Sequence, residues 1–140
     1  VADLFHAGHV NYLRQCKFLG ELTNVELVVG VHSDETALSY KRRPVCSMEE
    51  RICCVEACSY VDEVVAEAPL VVDEQFLAAH RVDVVVAATG SVSRLRWNAV
   101  PITRGIYTEV PRTPNIDTSS IIARVIDRAD ELAAGTTSNS

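Results

Sequence analysis

No apolar run in these 140 residues is long enough to cross a bilayer, so no transmembrane segment is expected. No secretory signal pattern is visible either. Basic clusters are scarce: nothing exceeds Lys41-Arg42-Arg43, and the net charge is −6, which argues against nucleic acid as a main partner. No Walker loop and no G-x-G-x-x-G occurs, and kinase-like or dinucleotide-binding readings lose their support with them. Internal repeats, low-complexity segments and linkers are missing too. Cysteines number five, an odd count, and three fall on one predicted helix, so a disulfide framework is not expected. Cys54 and Cys58 stand one helical turn apart, but no second ligand pair at a zinc spacing accompanies them. They read as small buried hydrophobes, and no protein-held metal is predicted. The expectation is a reduced, cytoplasmic protein.

What remains is an ordinary globular composition, 48% hydrophobic and 23% charged, at a length that closes a single core. Helical and β patterns alternate along it. Residues 7–19 read as a helix with Val10, Leu13 and Cys16 on its apolar face. The run 25–31 has the apolar continuity of a strand buried on both sides. Ser47 and Glu50 have capping-box spacing and start a helix through about Cys58. A strand at 61–65, a helix at 73–80, strands at 82–88 and 106–110, and a helix from Asp117 to about Ala133 complete the pattern. Residues 1–134 are read as one catalytic domain and 135–140 as a small, polar, flexible tail. Such alternation predicts an α/β fold, a Rossmann-like doubly wound parallel sheet of about five strands. Its first strand is expected ahead of Val1. Sheets of this kind bind ligands beyond the C-terminal ends of their strands.

The chemistry concentrates at "DLFHAGH". His6 and His9 flank Gly8 at the mouth of a helix, where backbone N–H groups and the helix dipole favour an anion. Gly8 lets the backbone approach a ligand closely. Asp3 reads equally as a helix cap or as part of a phosphate turn. Taken singly, Lys41 could belong to a solvated charged loop, Arg51 could pair along its own helix, and Thr118 and Ser119 could be caps. His32, His80, Trp97 and Tyr107 read as structural groups.

Taken together these segments resemble the His-x-Gly-His nucleotidyltransferases, in the form used by cytidylyltransferases. "PRTPNIDTSSII" is similar to that family's second signature, and "YKRRPVCSMEER" and "YVDEVVAEAP" to its lysine loop and following strand. The likeness looks closest to the ethanolamine-phosphate enzymes, with the choline-phosphate and glycerol-phosphate enzymes next. It implies transfer of CMP from CTP to a small phosphorylated alcohol, phosphoethanolamine first, giving a CDP-alcohol and pyrophosphate in phospholipid synthesis. It implies His6, His9, Lys41 and Arg112 as catalytic groups. Val1, Ala2, Asp3, Gly8, Ile116, Thr118 and Ser119 would hold the nucleotide and its phosphates, and Arg51 the acceptor. Mg²⁺ would travel on the CTP phosphates. The partners implied are CTP, a phosphorylated amino alcohol, and a second copy or tandem domain in a dimer or pseudo-dimer.

The chain also departs from the family pattern. Ala87-Ala88-Thr89-Gly90 replaces an acidic sequence after the fourth expected strand. Ser59 replaces a basic residue, Leu70 an aromatic one, Asn115 a glycine and Asp117 a serine. These changes bear on acceptor identity. They also leave open a non-catalytic half of a tandem enzyme, or a segment omitted near residues 89–93.

Overall fold

Local capping chemistry fixes most of the elements. In the computed structural model, which describes residues 1–90 and 94–136, Ser47 and Glu50 form the expected reciprocal box. The Glu50 N–H donates to Ser47 Oγ (3.3 Å) and the Ser47 N–H to Glu50 Oε2 (2.8 Å), and α3 runs Met48–Glu56 behind them. Asp73 caps α4 (Glu74–Ala79) in the same manner through the Phe76 N–H. Helix α1 spans Ala7–Lys17, and strand β1 is Val28–Val31. Strands β3 (Val85–Ala88) and β4 (Tyr107–Val110) fall within the predicted ranges, and β2 (Glu63–Ala66) runs one residue past its own.

Three short helices escape the sequence reading: α2 (Asp34–Leu38), α5 (Arg94–Trp97) and α6 (Ala99–Thr103). Each has five residues or fewer, too few to establish an apolar period. The single C-terminal helix is in fact two, α7 (Thr118–Asp127) and α8 (Ala129–Thr136). Arg128, at φ −114 and ψ 18, leaves the helical basin between them. Gly135 and Thr136, assigned to the tail, belong to α8, and residues 137–140 lie outside the described residues. So does most of the 89–93 stretch in which an omitted segment was suspected.

All strand pairing is parallel, as predicted, but it forms two pairs rather than one sheet. Val28–Val31 match Glu63–Ala66, and Val85–Ala88 match Tyr107–Val110. Between β1 and β3 lies a cavity of about 1590 Å³, and among the described residues no ladder joins the two pairs across it. Leu13, Cys16, Val31, Val55, Leu77 and Val110 supply the buried apolar groups on either side. Gly30 is required by close approach, since a Cβ there would sit 2.7 Å from that of Ala68.

The cysteines correct the sequence reading. Cys16 is buried, Cys53 and Cys54 are exposed, and Cys46 and Cys58 are half-buried, all as free thiols. The helix face of Cys54 turns away from β1 and β2, which take Arg51 and Val55 instead. Among the described residues no helix is long and apolar enough to cross a membrane.

Candidate active site

The histidine motif builds its own geometry. His6 is the N-cap of α1 and His9 its third residue, and the two rings take the parts of a capping box. His6 Nδ1 accepts the Gly8 N–H (3.1 Å), and His9 Nδ1 accepts the His6 N–H (3.2 Å). With both Nδ1 atoms used as acceptors, each neutral imidazole carries its proton on Nε2. The rings lie with centroids 3.9 Å apart, and Phe5 stacks on His9 at 5.5 Å. Burial drives both imidazoles toward the neutral form, His9 further still because His6 is beside it, down to about 4. They are therefore N–H donors at neutral pH rather than cations.

Gly8 is held by contact. A Cβ on it would come within 2.9 Å of His6 Cε1 and 3.3 Å of Ile116 Cγ2. Ile116 thus closes over the motif as an apolar cover. Ahead of it, Ala2 (φ 54) and Leu4 (φ 46) adopt left-handed backbone, a strained turn of a kind that clusters at functional sites.

From the far end of the chain, α7 brings its N-terminus to the same place. Asp117 caps it, accepting the Ser120 N–H at 2.7 Å. The residue that departs from the family signature therefore performs the N-cap task of the serine it replaces. Thr118 Oγ1 donates to the Asp3 carbonyl (3.1 Å) and stands 3.4 Å from His6 Nε2, joining α7 to the histidine turn. Ser119 Oγ accepts from Arg42 (3.3 Å), so the lysine loop reaches α7 as well. Arg112 Nε donates to the Thr89 carbonyl (3.0 Å), which anchors its guanidinium at the end of β3. The Lys41 ammonium is lowered by burial and by the neighbouring Arg112 and Arg42 charges. Three cations crowded in this way repel one another, and a polyanion among them relieves that repulsion.

His6, His9, Lys41, Arg112, Val1, Ala2, Asp3, Gly8, Ile116, Thr118 and Ser119 all line the one cavity. Two of the side chains named from the resemblance are engaged within the protein. Arg51 is not among the lining residues, and its side chain is wholly enclosed. Its guanidinium donates to the Val1, His32 and Cys46 carbonyls and to the Asp34 carboxylate (2.6 Å), leaving no free fork for an acceptor. Asp3 does not cap α1, whose N-cap is His6; its carboxylate accepts the Val45 and Cys46 N–H groups. Asn11, which grips Thr113 Oγ1 at 2.8 Å, and Phe5 were passed over in the sequence. Asn11 lies one turn past Ala7 on the same helix, a spacing that could have flagged it.

Comparison with known proteins bears on the family of the chain. A probable ethanolamine-phosphate cytidylyltransferase of Encephalitozoon cuniculi is 39% identical over 89% of this chain. Choline-phosphate cytidylyltransferase A of Homo sapiens is 38% identical over 95% of it. The chain spans only 38% and 36% of the lengths of these two relatives. A lipopolysaccharide core biosynthesis protein from Thermoplasma volcanium shares the fold, with a TM-score of 0.61 at 23% identity, covering 84% of this chain and 93% of that one. Residues 1–130 match the Cytidylyltransferase-like family along their whole length, and the chain belongs to that family.

Proposed function

We propose that the chain transfers CMP from CTP to a small phosphorylated alcohol, phosphoethanolamine ahead of phosphocholine and glycerol 3-phosphate, as a step in phospholipid synthesis. The observation that carries this reading is the convergence on one cavity of two neutral Nε2–H donors, a helix N-terminus and the Lys41 and Arg112 cations. An acceptor phosphate oxygen attacks the α-phosphorus in line, the bond to the bridging oxygen breaks, and pyrophosphate departs. One anion attacking another needs alignment and charge neutralisation more than proton transfer. His6 and His9 donate to phosphate oxygens without adding positive charge of their own. Lys41 and Arg112 neutralise the phosphates, and the amides of Thr118 and Ser119 hold the trailing ones. Among the described residues no three His, Cys, Asp or Glu side chains gather at a point that could cage a metal. Mg²⁺ carried on the CTP phosphates belongs to the same proposal, and there it would supply charge neutralisation.

The names of the relatives, an ethanolamine-phosphate and a choline-phosphate cytidylyltransferase, support phosphoethanolamine or phosphocholine as acceptor. The uncharged Ala87-Ala88-Thr89 end of β3 favours, as a second reading, a nucleotide-binding half of a tandem enzyme. A cytoplasmic setting and a dimer or tandem pseudo-dimer belong to the same proposal. The test is incubation of the intact protein with CTP, Mg²⁺ and each acceptor in turn, monitoring pyrophosphate. Release with phosphoethanolamine supports the first reading. Calorimetric CTP binding without release from any acceptor supports the second, and absence of CTP binding overturns both.

A further inference from the structure

Two buried ionic side chains grip the segment on which Lys41 rides. Asp3 is 5% exposed, and its two carboxylate oxygens accept the Val45 N–H (3.1 and 3.0 Å) and the Cys46 N–H (2.9 Å). The carbonyl of the same residue receives Thr118 Oγ1–H, so one amino acid joins the lysine loop, the histidine turn and the start of α7. Arg51 fastens the Cys46 carbonyl beside the Val1 and His32 carbonyls from the opposite side. At the loop's other end the Lys41 N–H donates to the Ala37 carbonyl (3.0 Å).

Asp3 is the odd member of this brace. A carboxylate lining a cavity that gathers cations for a polyanion opposes the ligand's own charge, and its burial is unfavourable unless its lone pairs are filled. Here they are filled by amide N–H groups of the loop. A neutral side chain of the same shape reproduces this only in part: an asparagine oxygen in the place of Oδ1 still accepts both amides, while its nitrogen points N–H at the Val45 N–H, so only truncation to alanine frees both amides.

We propose that Asp3 is the positioning residue for Lys41, its carboxylate pinning residues 41–46 to the histidine turn so that the ammonium faces the imidazoles across a shared phosphate. The inference rests on the nucleotidyl-transfer reading for the part played by Lys41, while the pinning itself is independent of it. Two measurements on the intact protein test it. In Asp3→Ala, hydrogen exchange at the Val45 and Cys46 amides should accelerate at least tenfold, with the Phe76 amide, capped by Asp73, unchanged. In a double-mutant cycle with Lys41→Ala, read in calorimetric CTP affinity and in turnover, Asp3→Ala should be severe alone. In the Lys41→Ala background it should cost less than twofold, because the group it positions is already gone.

Unchanged exchange at both amides overturns the proposal whatever the activity. Faster exchange with effects that multiply in the cycle also overturns it, since Asp3 would then act by another route. If the wild-type protein binds no CTP while the exchange result holds, the nucleotidyl-transfer reading fails and the proposal's catalytic half fails with it, the pinning having been measured separately. Where Asp3→Ala does not fold, Asp3→Glu makes the same comparisons. It keeps the charge but overreaches the two amides by a methylene.

Discussion

Adding one methyl group at Gly8 separates stability from catalysis. In Gly8→Ala the new Cβ would stand 2.9 Å from His6 Cε1 and 3.0 Å from Nδ1, so the ring has to move. Moving it breaks the Nδ1 hydrogen bond to the residue-8 N–H and with it the N-cap of α1, a loss of about 1 kcal/mol. Alanine inside a helix is favoured over glycine by about 0.8–1.0 kcal/mol, which offsets that loss. Net stability should therefore change little, and the midpoint of thermal unfolding should shift by no more than about 4 °C. The site has no such compensation. His6 Nε2 sits 3.4 Å from Thr118 Oγ1, and displacing the ring by about 1 Å removes it from the alignment with α7, at a cost of about 10²-fold in turnover. Pyrophosphate release and calorimetry on the same samples decide the matter. Turnover within threefold of wild type refutes the claim that Gly8 holds the His6 ring in place. A fall of more than about 8 °C shows that folding, rather than ring position, explains any lost activity.

Acid should destabilise the protein partly through His9. Its folded pKa, about 4, lies below the ordinary 6.5, so the unfolded chain binds more protons between those values and stability rises with pH across that window, levelling above it. Urea midpoints should fall from pH 6.5 toward 4, and His9→Gln should flatten the slope; equal slopes in both proteins would show that His9 carries no such shift. Arg51→Ala should cost about 3–5 kcal/mol by stripping a buried ion pair and three carbonyls of their donor. A variant of wild-type stability with only a raised acceptor KM would restore the acceptor role read from the sequence. Lys41→Ala, altering a side chain that lines the cavity yet still reaches water, should lower turnover by orders of magnitude with less than about 0.5 kcal/mol change in stability, and wild-type turnover would remove Lys41 from the mechanism.

The features legible in the sequence were those written in consecutive residues. Ser47 and Glu50 announced α3 because a capping box is complete within four positions, and the His-x-Gly-His run carried its geometry because the cap, the glycine and both rings are neighbours. Arg51 was misread for the opposite reason. Its partners come from Val1, His32, Asp34 and Cys46, and nothing near position 51 records that folding brings three of these segments round one guanidinium. Asp3 is the same case, since its acceptors are used by amides more than forty positions away. The break at Arg128 was hidden by an apolar period that continues from Ile121 to Leu132 across two helices. Cys54 was judged by residue type, whereas its exposure follows from which face of α3 is buried.

Because backbone ladders run within each strand pair and, among the described residues, none spans the hollow between them, the site has a caliper's construction. Tyr12, Gln15 and Asn11 fasten the histidine helix to the β3–β4 jaw through Val86, Pro111 and Thr113, while Lys41 rides between α2 and α3 on the β1–β2 jaw. Shear between the jaws is resisted by side-chain ties such as those of Lys17 and Arg51, not by a continuous sheet. Whatever wedges or bridges the hollow therefore sets the gap between ammonium and imidazole at its rim.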